Sequence, residues 1–138
     1  MADQIKKDIT SGAVKAFYVH LAEGTDEKSR AELAALKDLG LLIQETVIIH
    51  GTALRQEQLV EVREAGAKIV WSPQSNLRLY GHTTHAAEAL DLGISLGIGA
   101  DWLPSGSSSL LQEIKVARQV LASQGKHMSA KELGLCTK

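Results

Sequence analysis

The chain has one cysteine, two prolines and one phenylalanine in 138 residues, and its aromatic content is only 4%. The lone thiol, Cys136, excludes an internal disulfide and any thiolate metal cluster within one chain, so the expected setting is reducing and cytoplasmic. An excess of one charge is missing too. Fifteen basic against sixteen acidic residues leave a net charge of -1, which gives no electrostatic reason to expect nucleic acid or an anionic membrane as partner. No apolar run approaches the roughly 18 residues of a membrane span, and no signal-peptide core precedes the first apolar stretch. What remains is a globular balance, 44% hydrophobic and 22% charged, of a length that suits one domain spanning residues 1–138.

The most ordered signal lies near the end of the chain. Residues 94–100 form a short apolar run that ends at Asp101; a glycine/serine turn follows, and then LLQEIKVARQVL with Leu110, Leu111, Ile114, Ala117 and Leu121 near helical spacing. Strand, loop and helix in that order recur three times upstream. Ala16–Ala22 (AFYVHLA) predicts a strand, Thr25 or Asp26 a helix cap, and Gly40 the stop of a helix reaching Asp38. Thr46–Ile49 runs directly into His50, and Gln56–Glu64 predicts the helix after it. Ala67–Trp71 predicts the third strand; Ser72-Pro73 must leave the sheet, and SPQSNLRLYGHT reads as a long loop. Thr84 is then the expected cap of a helix over 85–92, and 129–135 predicts one or two final helical turns. Residues 1–12 are polar and suit a short helix or a loose arm.

Continuous rather than alternating apolar strands, each followed by one helix, predict an α/β fold of parallel βα units. Four such units suit either half of a closed barrel or a small open sheet. Function in these folds collects at the carboxyl ends of strands, where His20, His50 and Asp101 all fall. Imidazole and carboxylate together suit Zn²⁺ or Fe²⁺. Glu23, just past the first strand, is placed to move protons over the same cavity, or else to face a helix dipole.

HLAEG at 20–24, IHGTAL at 49–54, WSPQSNLRLYG at 71–81 and GIGADWLPSGSSSLLQEIKVA at 97–117 resemble, in order, the second half of the amidohydrolase superfamily barrel. The nearest likeness is to the metal-dependent chlorohydrolases and aminohydrolases that act on triazines, purines and related N-heterocycles. The resemblance implies strands five to eight of a TIM-like (β/α)8 barrel, with His20 and Asp101 as metal ligands and Asp101 also as general base. It implies Glu23 as the proton shuttle and His50 either as a second-site ligand or as the group that holds water or substrate. Ser75 and Asn76 match a turn that shapes the pocket wall, and Trp102 offers an aromatic wall or plain packing. The implied reaction is hydrolysis of C–N or C–Cl bonds in N-heterocyclic or amide-like small molecules, with one Zn²⁺ or Fe²⁺.

The HxH metal-ligand pair of that superfamily is absent, because His82, His85 and His127 have neither its spacing nor its place. The expectation is therefore a partial barrel with a weak or unfilled metal site and little turnover by itself. Free sheet edges predict a homo-oligomer, or a partner that supplies an N-terminal half-barrel. A non-catalytic half-barrel serving assembly is the rival reading. A nucleotide site at the Gly97, Gly99 and GSSS turn is a weaker third, because the glycines form neither a Walker motif nor a Rossmann fingerprint.

Overall fold

A computed structural model describes residues 1–135, so Cys136 lies outside the described residues. The order of elements is α1 (Ala2–Thr10), β1 (Phe17–Leu21), α2 (Glu27–Asp38), β2 (Thr46–His50), α3 (Gln56–Glu64), β3 (Lys68–Trp71), α4 (Pro73–Tyr80), α5 (Ala86–Asp91), β4 (Leu96–Ile98), α6 (Leu110–Ser123) and α7 (Ala130–Leu135). The strands form one parallel sheet in the order β1-β2-β3-β4, matching half of a TIM-like barrel. β1 and β4 are its edges.

Register separates the two faces of this sheet. Val19, Ile48, Ile69 and Leu96 align across the strands, as do Trp71 and Ile98. Their side chains join Leu33 and Leu36 of α2, Leu59 and Val62 of α3, Ala86 and Ala89 of α5 and Val116, Ala117, Val120 and Leu121 of α6 in the core. The opposite face aligns Tyr18 with Val47 and His20 with Ile49 and Val70. Val47 is buried there, but Tyr18 and His20 are exposed and Ile49 and Val70 only half-buried.

Helix ends follow local chemistry. Asp26 caps α2 by accepting from Ser29 N at 2.8 Å, and Ser109 caps α6 by accepting from Gln112 N at 3.2 Å. The expected cap of α5 differs: His85 occupies that position, because the Thr84 hydroxyl is spent on the main-chain oxygen of His50, 2.7 Å away.

Two further departures matter for function. The segment expected as a loop holds helix α4, with Pro73 at its first turn and Gly81 closing it in the left-handed region at φ 65. Its buried side is Pro73, Ser75 and Asn76 while Leu77 and Leu79 face outward, so hydrophobic periodicity gives no helical signal. In α6 the buried stripe is Glu113, Val116, Ala117, Val120 and Leu121, whereas Leu110 and Leu111 are exposed. An acid in the inward stripe displaces the face that leucine spacing alone predicts.

Candidate functional site

The carboxyl ends of β1, β2 and β4 bring their polar residues to one rim. At β1 the chain leaves the sheet through Ala22, held at φ 54. Its N–H donates to Glu32 Oε2 of α2 at 2.7 Å, and its oxygen accepts from Ala53 N at 2.8 Å. That anchored turn delivers Glu23 beside the end of the next strand.

At β2 the last residue, His50, aligns with Leu21 and by strand parity belongs to the helix-covered face. Its backbone instead turns to φ 78, and its ring lies 5.4 Å from that of His20 on the other face. Nε2 is 3.6 Å from Glu23 Oε1. The side chain is buried, which pushes the imidazole below its ordinary pKa; the negative charges of Glu23 and Asp101 oppose the shift and His20 adds to it.

Past β4, both oxygens of Asp101 are engaged: Oδ1 accepts from Trp102 N at 2.8 Å and Oδ2 from the Ser75 hydroxyl at 2.7 Å. Gly106 closes the turn behind it, where an added Cβ would collide with the Asp101 main chain. Arg78 of α4 holds the same turn by donating to the main-chain oxygen of Pro104 at 2.7 Å.

Helix α4 touches all three members of this group. Ser75 meets Asp101; the Asn76 amide nitrogen lies 3.2 Å from His50 Nδ1; and the Tyr80 hydroxyl donates to Glu23 Oε1 at 3.2 Å. Burial, then the charge of Glu23, raises the phenol above its ordinary pKa, so Tyr80 remains a donor at neutral pH. The start of α4 is fixed from below by the fully buried Glu113, which accepts from Gln74 N at 2.8 Å and Ser107 N at 3.3 Å. A carboxylate there also faces the positive end of the helix.

Among the described residues, one imidazole nitrogen and two carboxylate oxygens from Glu23, His50 and Asp101 lie within 4.8 Å of one another. This N/O set fits a divalent cation such as Zn²⁺ or Fe²⁺. His20 stands beside the group, with its ring against His50. Ser75 and Asn76, expected at the pocket wall, are buried with their polar ends turned onto Asp101 and His50. The Trp102 side chain is 72% exposed next to Asp101, so it is free to form a wall and does not serve as packing. Sequence reasoning did not single out Tyr80, Thr83 or Glu113. For Glu113 a signal existed: residues 113, 116, 117, 120 and 121 form a helical stripe with one acid inside it.

The amidohydrolase family profile matches residues 4–137. The 5-methylthioadenosine/S-adenosylhomocysteine deaminase 1 of Syntrophus aciditrophicus (strain SB) is 30% identical over 110 residues, which cover 74% of this chain and 25% of that protein. A zinc-bound adenosine deaminase from Xanthomonas campestris has the same fold, with a TM-score of 0.78 at 22% identity over 88% of this chain and 29% of that one. So does the atrazine chlorohydrolase of Arthrobacter aurescens TC1 complexed with zinc, with a TM-score of 0.76 at 20% identity over 91% of this chain and 30% of that one. The chain thus spans between a quarter and a third of the length of these proteins.

Proposed function

The chain belongs to the amidohydrolase family, and on that premise we propose that it carries one rim of a metal-dependent hydrolase. The bond cleaved is C–N or C–Cl in an N-heterocyclic or amide-like small molecule. The observation that supports this most is the convergence of Glu23, His50 and Asp101, brought from three strand ends to within 4.8 Å and each in contact with α4.

In this reading His20 and Asp101 hold one Zn²⁺ or Fe²⁺, with Glu23 and His50 close by. Such an ion, when bound, supplies the Lewis acidity that makes water a nucleophile near neutral pH. Asp101 takes the proton of the attacking water, because Ser75 and Trp102 N orient its carboxylate while lone pairs remain on both oxygens. Glu23 is part-exposed, so it can pass a proton to the departing group. The Tyr80 hydroxyl keeps that carboxylate aimed at the rim. Trp102 supplies a flat apolar surface for a ring substrate, and Ser75 and Asn76 brace the pocket floor. Loss of ammonia makes the reaction a deamination; loss of halide makes it a dechlorination.

Zinc titration followed by assay of ammonia and chloride release from 5-methylthioadenosine and atrazine tests this. We expect weak binding of one zinc, its loss in Asp101→Asn, and little turnover by the chain alone; equal zinc binding by both proteins would overturn the assignment.

A second reading, an assembly domain, is favoured by the two unpaired parallel edges and by Tyr18, 62% exposed on the uncovered face. Both readings are served by a homo-oligomer, or by a partner that supplies further strands, with the uncovered faces turned toward a common interior. No helix of the described residues is long and apolar enough to cross a membrane, and we place the protein in the cytoplasm on its single cysteine. Light scattering that finds only monomer would remove the assembly reading.

A further inference from the structure

The ring of His50 has two incompatible uses at this rim. A bare Nε2 ligates a cation, whereas an Nε2 that carries the proton donates to water, substrate or a carboxylate. Which one holds depends on what Nδ1 meets. Four buried side chains settle that, beginning with a group that has no choice.

The indole N–H of Trp71 can only donate, and Nε1 lies 2.8 Å from Thr83 Oγ1. Thr83 therefore accepts from Trp71, and its own hydroxyl proton goes to Asn76 Oδ1 at 3.0 Å. With its oxygen turned to Thr83, Asn76 presents Nδ2, a pure donor, to His50 Nδ1 at 3.2 Å. The reversed amide would aim two donors at Thr83 and leave the hydroxyl proton without an acceptor. Trp71, Thr83, Asn76 and His50 are each 4% exposed or less, so water cannot easily repair that mismatch. Nδ1 must accept, and the single proton of the neutral ring is left on Nε2.

We infer that Trp71, Thr83 and Asn76 are positioning residues that hold His50 as its Nε2–H tautomer, making it a hydrogen-bond donor at the rim rather than a cation ligand. Nε2–H faces Glu23 Oε1 across 3.6 Å, longer than a hydrogen bond, which leaves it free for an incoming group. The cation donors are then His20 and a carboxylate oxygen of Asp101, with Glu23 kept for the proton. That last step rests on the metal-dependent reading above; the tautomer does not.

Long-range ¹H–¹⁵N correlation spectra of the metal-free, ¹⁵N-labelled full chain at about pH 8.5, where an imidazole is neutral, test the assignment. The wild type should show a protonated Nε2 and a bare Nδ1. Asn76→Asp puts an acceptor against Nδ1 and should move the proton there; Thr83→Val, which frees the amide to rotate, should give a mixture and serves if Asn76→Asp does not fold. A protonated Nδ1 in the wild type, or a pattern unmoved by the variants, overturns the inference. Zinc separates the two readings. His50 should keep its Nε2 proton when zinc binds, and zinc should bind Asn76→Asp about tenfold more tightly, because outer-shell changes alter metal affinity on that scale. Loss of the Nε2 proton on zinc addition overturns the inference and leaves the metal reading intact. A wild type that binds no zinc sinks the metal reading and leaves the tautomer standing on its spectrum.

Discussion

Both faces of the sheet carry β-branched residues, and the two meet different fates. Ile48, Ile69 and Leu96 on one face are packed by the chain's own helices, while Tyr18, His20, Ile49 and Val70 on the other have no such cover among the described residues. Parallel strands are ordinarily covered on both sides. In this chain the covered face supplies stability, and the rim beside the open face collects the ionisable groups. Apolar character in a strand therefore tells which residues can be buried, and only the placement of helices tells which are.

The widest separation between the faces should appear in Ile48→Ala, expected to cost about 2–5 kcal/mol in denaturant unfolding because it empties a fully buried site. Next comes Glu113→Gln, which sets an amide N–H₂ against one of two main-chain N–H groups and should cost about 1–3 kcal/mol. It should also loosen α4, seen as faster hydrogen exchange at Gln74.

A smaller effect is set by pH. Burial holds His50 below its ordinary pKa of 6.5, so the folded chain binds fewer protons there than the unfolded one. The resulting stabilisation is complete above 6.5 and fades as pH falls below it toward the folded pKa. Thermal melts of the metal-free chain should accordingly drop between about pH 7.5 and 5.5, with a shallower slope in His50→Gln. Least of all, Tyr18→Ser should change unfolding free energy by no more than about 0.5 kcal/mol. A loss comparable with that of Ile48→Ala would mean that the open face is packed against something in solution, and the contrast between the faces would collapse.

Most of the architecture was legible because short β-branched and apolar runs punctuated by glycine leave few alternatives. Thr46–His50 and Gln56–Glu64 lie within a residue of their expected bounds. The rim was legible as residue types at strand ends, and His20, Glu23, His50 and Asp101 do share it. Helix α4 was not legible, because its inward side is hydroxyl and amide and its leucines point out, the reverse of the pattern that marks a helix. Tyr80 and Thr83 were hidden with it, and Glu113 showed only as an acid inside a helical stripe. Their roles depend on partners 57, 7 and 39 residues away, and no local rule reports such pairings.

The turn of the backbone at His50 has one more consequence. A side chain with a Cβ is disfavoured in the left-handed region that glycine or asparagine enters readily. Glycine at position 50 would relax the main chain yet empty a buried site and leave the Asn76 amide without its acceptor. The packing of the ring thus holds the backbone in a turn that it would otherwise leave.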